Sequence, residues 1–169
     1  MIPRSGDMVV TRWGALYRGR RIPCAIGKGG IRPDKREGDG ATPLTALRLM
    51  GAGYRADRIS KPKAPFRVRA IGPGDLWSDD PKDAAYNHAV RAPYGHSHER
   101  LRRADHLYDI FVVTDWNWPA ATPGRGSAIF VHRWRKPRHP TEGCIAFAPQ
   151  HLRWILATWR PGARIIVRG

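Results

Sequence analysis

A chain of 169 residues with 41% hydrophobic residues can bury one real core, which excludes a disordered tract. No stretch approaches the length of a transmembrane helix, so no membrane insertion is expected. Lys and Arg outnumber Asp and Glu by 30 to 14, and the formal charge of +16 attracts polyanions.

The basic residues are scattered from Arg4 to Arg168, with no compact block and no nucleic-acid motif. A wall polymer rich in peptide carboxylates therefore qualifies as a partner beside nucleic acid. The N-terminal stretch MIPRSGDMVVTRWGALYRGRR has no apolar run leading to a cleavage site, so no signal peptide is expected in the chain as it stands. Two cysteines, Cys24 and Cys144, do not make a disulfide scaffold in a domain of this size.

In chain order, short apolar and β-branched runs recur between Gly and Pro punctuation. They are MVV at 8–10, FRVRAI at 66–71, LYDIFVV at 107–113, SAIFVH at 127–132 and RIIVR at 164–168. The pattern predicts a mostly β fold, a sandwich or barrel-like core, in a single domain over residues 1–169. Between the first two runs lies a polar, Gly-rich loop, GKGGIRPDKREGDGATP (27–43), without the spacing of a phosphate-binding Walker loop. A second long loop, 72–99, mixes aromatic, His and acidic residues, and loops of that length are often functional. HERLRRADHL (98–107) is a candidate helix. A firmer helix covers APQHLRWILATWRPG, where Leu152, Ile155, Leu156 and Trp159 share a face, Pro149 opens the first turn and Pro161-Gly162 ends it.

The chemistry concentrates in GSAIFVHRWRKPRHPTEGCIAFA (126–148). His132 ends an apolar run, and Cys144 follows twelve residues later, across a basic loop. One reading makes Cys144 a nucleophile with His132 as its base. It expects an accessible thiol whose pKa His132 lowers. Gly143 would let a substrate backbone approach, Thr141 would orient the loop, and the amides around Cys144 would form an oxyanion hole. A second reading is a buried structural cysteine beside a hydrogen-bonded core histidine. A third is zinc held by His132, His139, Cys144 and His151, but the tight paired-ligand spacing of zinc sites is missing, and no metal is assigned.

These residues resemble the L,D-transpeptidases of bacterial cell walls, the YkuD-type catalytic domain. The resemblance rests on His132 at a strand end, then Thr141-Glu142-Gly143-Cys144-Ile145, with REGDGATP (36–43) upstream and GSAIFVH in between. It spans most of the chain. It implies an L,D-transpeptidase-like β-sandwich with a helix after the cysteine segment. It also implies a Cys144 nucleophile and a His132 base oriented by a backbone carbonyl near the Thr-x-Gly-Cys loop. The implied reaction forms a thioester with a donor stem peptide of peptidoglycan, then transfers it to the diaminopimelate amine of a second stem, without a cofactor.

Two positions depart from the common family pattern. Glu142 stands where His is frequent, and Ala146 where Arg or Asn is usual. A divergent branch from alpha- and betaproteobacteria with a GCIA-like motif is the nearer likeness, and it implies links from L-alanine at stem position one to diaminopimelate at position three. The alternatives are links between two diaminopimelates, or hydrolysis of the thioester. A different class altogether is a basic nucleic-acid- or wall-binding module without catalysis. The resemblance further implies a periplasmic monomer whose partner is the peptidoglycan stem, with no nucleic acid. Arg125, Trp134, Tyr86, His98 and Glu99 are the candidate substrate contacts. Cys24 reads as structural.

Overall fold

A computed structural model describes residues 2–169. The chain opens with β1 (Met8–Thr11), β2 (Gly14–Tyr17), β3 (Arg20–Ile22) and β4 (Cys24–Ala25). The polar loop that follows holds β5 (Ile31–Arg32) and β6 (Thr42–Pro43), paired in parallel. Next come β7 (Ala46–Tyr54), β8 (Val68–Ala70), β9 (Asp75–Ser78), β10 (Ala89–Arg91) and β11 (His98–Arg100). The chain closes with β12 (Ile110–Thr114), β13 (Phe130–Arg133), β14 (Ile145–Phe147), α1 (Pro149–Thr158) and β15 (Arg164–Val167). Ten strands form one sheet in the order β3-β2-β1-β15-β7-β12-β13-β14-β4, with β8 added on β7. The sheet curls enough to bring β2 near β4.

Every apolar run read as a strand contains one, and the helix after the cysteine segment is present. Pro149 sits at its start, where a missing N–H costs nothing. Leu152, Ile155 and Leu156 are buried, and Trp159 is the C-cap residue. The Tyr17 hydroxyl donates to the Thr158 carbonyl at 2.9 Å, satisfying one of the orphan acceptors of the last turn.

The candidate helix at 98–107 is not formed. His98–Arg100 pair with β9 instead, and the carbonyls beyond them are taken by guanidinium groups. Arg55 Nη1 donates to Arg103 O at 2.6 Å, and Arg58 donates to Ala104 O and Asp105 O at 2.9 and 2.7 Å. A helix would need those carbonyls for its own amides.

The long loop at 72–99 is a three-stranded sheet, ordered β10-β9-β11. It lies over the outer side of β12 and β13, where Trp77 meets Phe130 edge-on at 5.0 Å. The molecule thus has two cores, separated by strand alternation. Val131, Ile145 and Phe147 face the larger core with Leu152, Ile155 and Leu156. Phe130 and Cys144 face the smaller core with Trp77, Tyr108 and Phe111. A one-residue slip of β14 would exchange these faces.

Phe147 has no exposed surface and bridges β14 to the helix side of the sheet. Phe147→Ala is expected to cost about 3–5 kcal/mol of unfolding free energy, read from urea denaturation.

Candidate active site

Strand pairing places the two chemical side chains. β13 and β14 are parallel, with His132 opposite Ala146. Cys144 lies two residues before Ala146, so it points to the same face as His132. Both line a cavity of about 310 Å³.

The turn that carries Cys144 is held from three sides. Thr141 Oγ1 donates to the Cys144 carbonyl at 2.6 Å and accepts the Gly143 N–H at 3.2 Å. Gly143 adopts φ +137°, and a Cβ there would meet Ala41 O at 2.8 Å, so glycine is required on two counts. Thr42 is fully buried; its hydroxyl donates to Gly143 O at 2.8 Å and accepts the Gly27 N–H at 2.9 Å. The GKGG stretch is therefore a packing element: Gly27 runs beside Thr141, and a Cβ on it would meet Gly40 O at 2.2 Å.

REGDGATP does the bracing. Asp39 Oδ1 accepts from Lys35 Nζ at 2.7 Å and from Ala41 N at 2.8 Å, while Oδ2 accepts from Arg36 N at 2.7 Å. Burial works against that carboxylate, but these bonds hold its pKa below the usual value. Glu37 accepts from the Tyr86 hydroxyl, which itself accepts the Gly126 N–H at 3.0 Å. Asn87 Oδ1 accepts the Ala128 N–H at 2.9 Å. Ala128 takes φ +49°, a strained conformation for a residue with a Cβ, and its carbonyl accepts the Cys144 thiol at 3.1 Å.

The electrostatics differ from expectation. Cys144 is 9% exposed, and burial pushes its thiol up to about 12, with the Phe130 N–H at 3.4 Å from Sγ opposing only in part. The expected accessible, acidified thiol is thus not found. Burial also lowers His132 to about 4. Its Nδ1 lies 2.7 Å from Arg133 O, and a carbonyl only accepts, so Nδ1 carries the proton and Nε2 keeps its lone pair. The orienting carbonyl belongs to the next residue of the same strand, not to the Thr-x-Gly-Cys loop. The Tyr108 ring stands edge-on to the imidazole at 5.3 Å, and its hydroxyl donates to Glu99 at 3.0 Å. At rest the cavity holds a neutral thiol and a neutral imidazole.

Of the five candidate substrate contacts, Glu99 alone lines the cavity. Tyr86 is 2% exposed and its hydroxyl is spent on Glu37 and Gly126. Arg125 is exposed, 5.3 Å over the Trp116 ring. Trp134 is half-buried, and its backbone amide donates to Phe147 O. His98 bonds His96 O through Nδ1 at 2.7 Å and borders a neighbouring basic hollow with Arg55 and Arg58. Tyr108, Arg103, Asp79 and Arg135 line the cavity without having been singled out. LYDIFVV had marked Tyr108 only as strand. Cys24 is buried opposite Phe147, and both cysteines are free thiols. Among the described residues no three His, Cys, Asp or Glu side chains gather as a metal set.

A family model described as the L,D-transpeptidase catalytic domain, YkuD, matches residues 7–167. The chain belongs to the YkuD family of L,D-transpeptidases. No curated protein and no solved structure matches it. The family consists of cysteine L,D-transpeptidases that act on peptidoglycan, so this is a cell-wall enzyme domain. Among the described residues no helix is long and apolar enough to cross a membrane.

Alkylation of Cys144 by iodoacetamide, followed by peptide mass mapping, is expected to keep accelerating through pH 9–11. An ordinary thiol would level off near its pKa of about 8.5. Gly143→Ala is expected to cost roughly 1–3 kcal/mol in a thermal melt and to displace the cysteine turn, with loss of activity.

Proposed function

We propose that the protein crosslinks peptidoglycan in the periplasm through a thioester on Cys144, acting as a monomer. The observation that carries this reading is the shared cavity of Cys144 and His132, with the imidazole fixed in the tautomer that leaves Nε2 as a base. As the sulfur attacks the donor carbonyl, the thiol proton passes to Nε2. The backbone donor read for the developing oxyanion is the Cys144 amide, since the Gly143 amide is held by Thr141. His132 then protonates the leaving amine, and the C–N bond breaks to give the thioester. The acceptor amine attacks in turn, and His132 carries its proton to the departing sulfur. Because both groups start neutral, charge separation develops only as bonds change, in a site shielded from water.

The acyl donor is read as the L-alanine carbonyl at stem position one, and the acceptor as the diaminopimelate amine at position three. Support comes from Ala146, which is fully buried in β14 between His132 and Ala25. No cation stands on the strand behind the nucleophile. The cavity's cations come from Arg103 and Arg135, on other segments.

Muropeptides incubated with wild type and with Cys144→Ala, then separated and fragmented by mass spectrometry, test this. The expected result is a dimer linked at L-alanine, made by wild type alone. A link between two diaminopimelates overturns the donor choice, shortened stems without dimers indicate hydrolysis, and no Cys144-dependent product overturns the catalytic reading. His132→Gln is expected to slow thioester formation roughly 10²–10⁴-fold, measured by intact mass against time.

A further inference from the structure

Strand alternation turns Met8, Val10, Ala15, Tyr17 and Ile22 into the larger core. The outward row of an antiparallel sheet that faces water is ordinarily polar. Here Val9 pairs with Leu16 and Leu16 with Arg21, and Leu16 is 48% exposed. At the turn between β1 and β2, Trp13 is 70% exposed. The Arg12 guanidinium lies over its ring, 4.4 Å from the centroid. Val9, Trp13, Leu16, Arg21 and Arg138 border a hollow of about 500 Å³, which shares no residue with the cavity of Cys144.

The charge around this hollow has one sign. No Asp or Glu occurs between Asp7 and Asp34, or between Asp115 and Glu142. Asp7 itself is held by Arg164 at 2.6 Å. Arg138 belongs to the second of these stretches and donates to the Trp13 carbonyl at 2.8 Å, which joins the hairpin tip and the loop after β13 into one surface. Arg12, Arg21, Lys136 and Arg138 are exposed, and none of them meets a carboxylate among the described residues.

An exposed indole ringed by unpaired cations fits an anionic bilayer. Trp settles at the headgroup level, with its apolar body toward the acyl chains, and neighbouring cations meet lipid phosphates. A soluble polyanion would use the cations but leave Trp13 and Leu16 in water. We propose that this face docks peripherally on a membrane surface rich in anionic lipid. Trp13 and Leu16 enter the headgroup layer, and Arg12, Arg21, Lys136 and Arg138 lie against its phosphates. The loop that carries Lys136 and Arg138 also carries Arg135, which lines the cavity of Cys144. Docking therefore sets that cavity beside the membrane, whichever stem carbonyl is the acyl donor.

The test sediments wild type, Trp13→Ala and Lys136→Ala with vesicles of phosphatidylcholine alone or mixed with phosphatidylglycerol. Wild type is expected on the mixed vesicles only, and high salt is expected to release it. Lys136→Ala is expected to lower the partition coefficient about fivefold, and Trp13→Ala by at least as much. Both side chains are exposed, so thermal melts of the variants are expected at the wild-type temperature. Lipid brominated high on its acyl chains is expected to quench wild-type tryptophan fluorescence, and that quenching is expected to vanish in Trp13→Ala. Failure of wild type to bind the mixed vesicles overturns the proposal. So does binding that Trp13→Ala leaves unchanged, which marks a general attraction of a basic protein to any anionic surface. Preference for purified wall sacculi over the mixed vesicles also overturns it.

Discussion

The hydroxyl of Thr42 joins three parts of the chain that are far apart in sequence. It donates to the carbonyl of Gly143 and accepts the amide of Gly27, and none of Thr42 is exposed. Both partners are backbone groups at glycines, and both glycines approach other backbone too closely to carry a side chain. The hydroxyl is the one group that fills the remaining space and satisfies both. A buried bond of this kind contributes only about 0.5–1.5 kcal/mol net, but leaving either partner unpaired costs more. The position of Cys144 therefore depends on a residue about a hundred positions away that never touches substrate.

Around that clamp, alternation along β13 and β14 sets the chemistry. The strand face that carries Phe130, His132 and Cys144 turns from the helix side toward the smaller core, so the thiol and the imidazole start in a dry environment. Dryness explains both pKa directions: each group is held neutral, the thiol high and the imidazole low. It also explains why Ala128 keeps a strained backbone. Its carbonyl gives the neutral thiol a partner, and Asn87 holds the turn from behind.

Much of this was legible in the sequence, for identifiable reasons. The strands written in β-branched residues and the helix with its Pro149 start announce themselves through local preference and period. The His132–Cys144 pair was legible because both lie on one short segment. β7 was not: it is the longest strand and holds the centre of the sheet, yet reads ALRLMGAGY. Its Gly53 works only because the Phe111 ring covers it, with a Cβ position just 2.2 Å from the ring. The segment 98–107 looked helical because the competing donors, Arg55 and Arg58, sit 46 to 48 residues away from the carbonyls they take. Tyr108 was hidden inside an apolar run, and its place beside the cavity shows only when Glu99 and His132 reach it from β11 and β13.

The same logic separates motif from mechanism. REGDGATP helps mark the family, and a motif rich in charge invites a reading as a binding loop. Its Asp39 and Thr42 are instead spent on the chain itself, tying the loop and the cysteine turn together. Asp79 and Glu99, which also line the cavity, come from the three-stranded sheet and its edges, a stretch that carries no family motif. A rigid thiol turn needs nearly all of its neighbours' hydrogen-bonding capacity, so recognition has to be supplied from another layer.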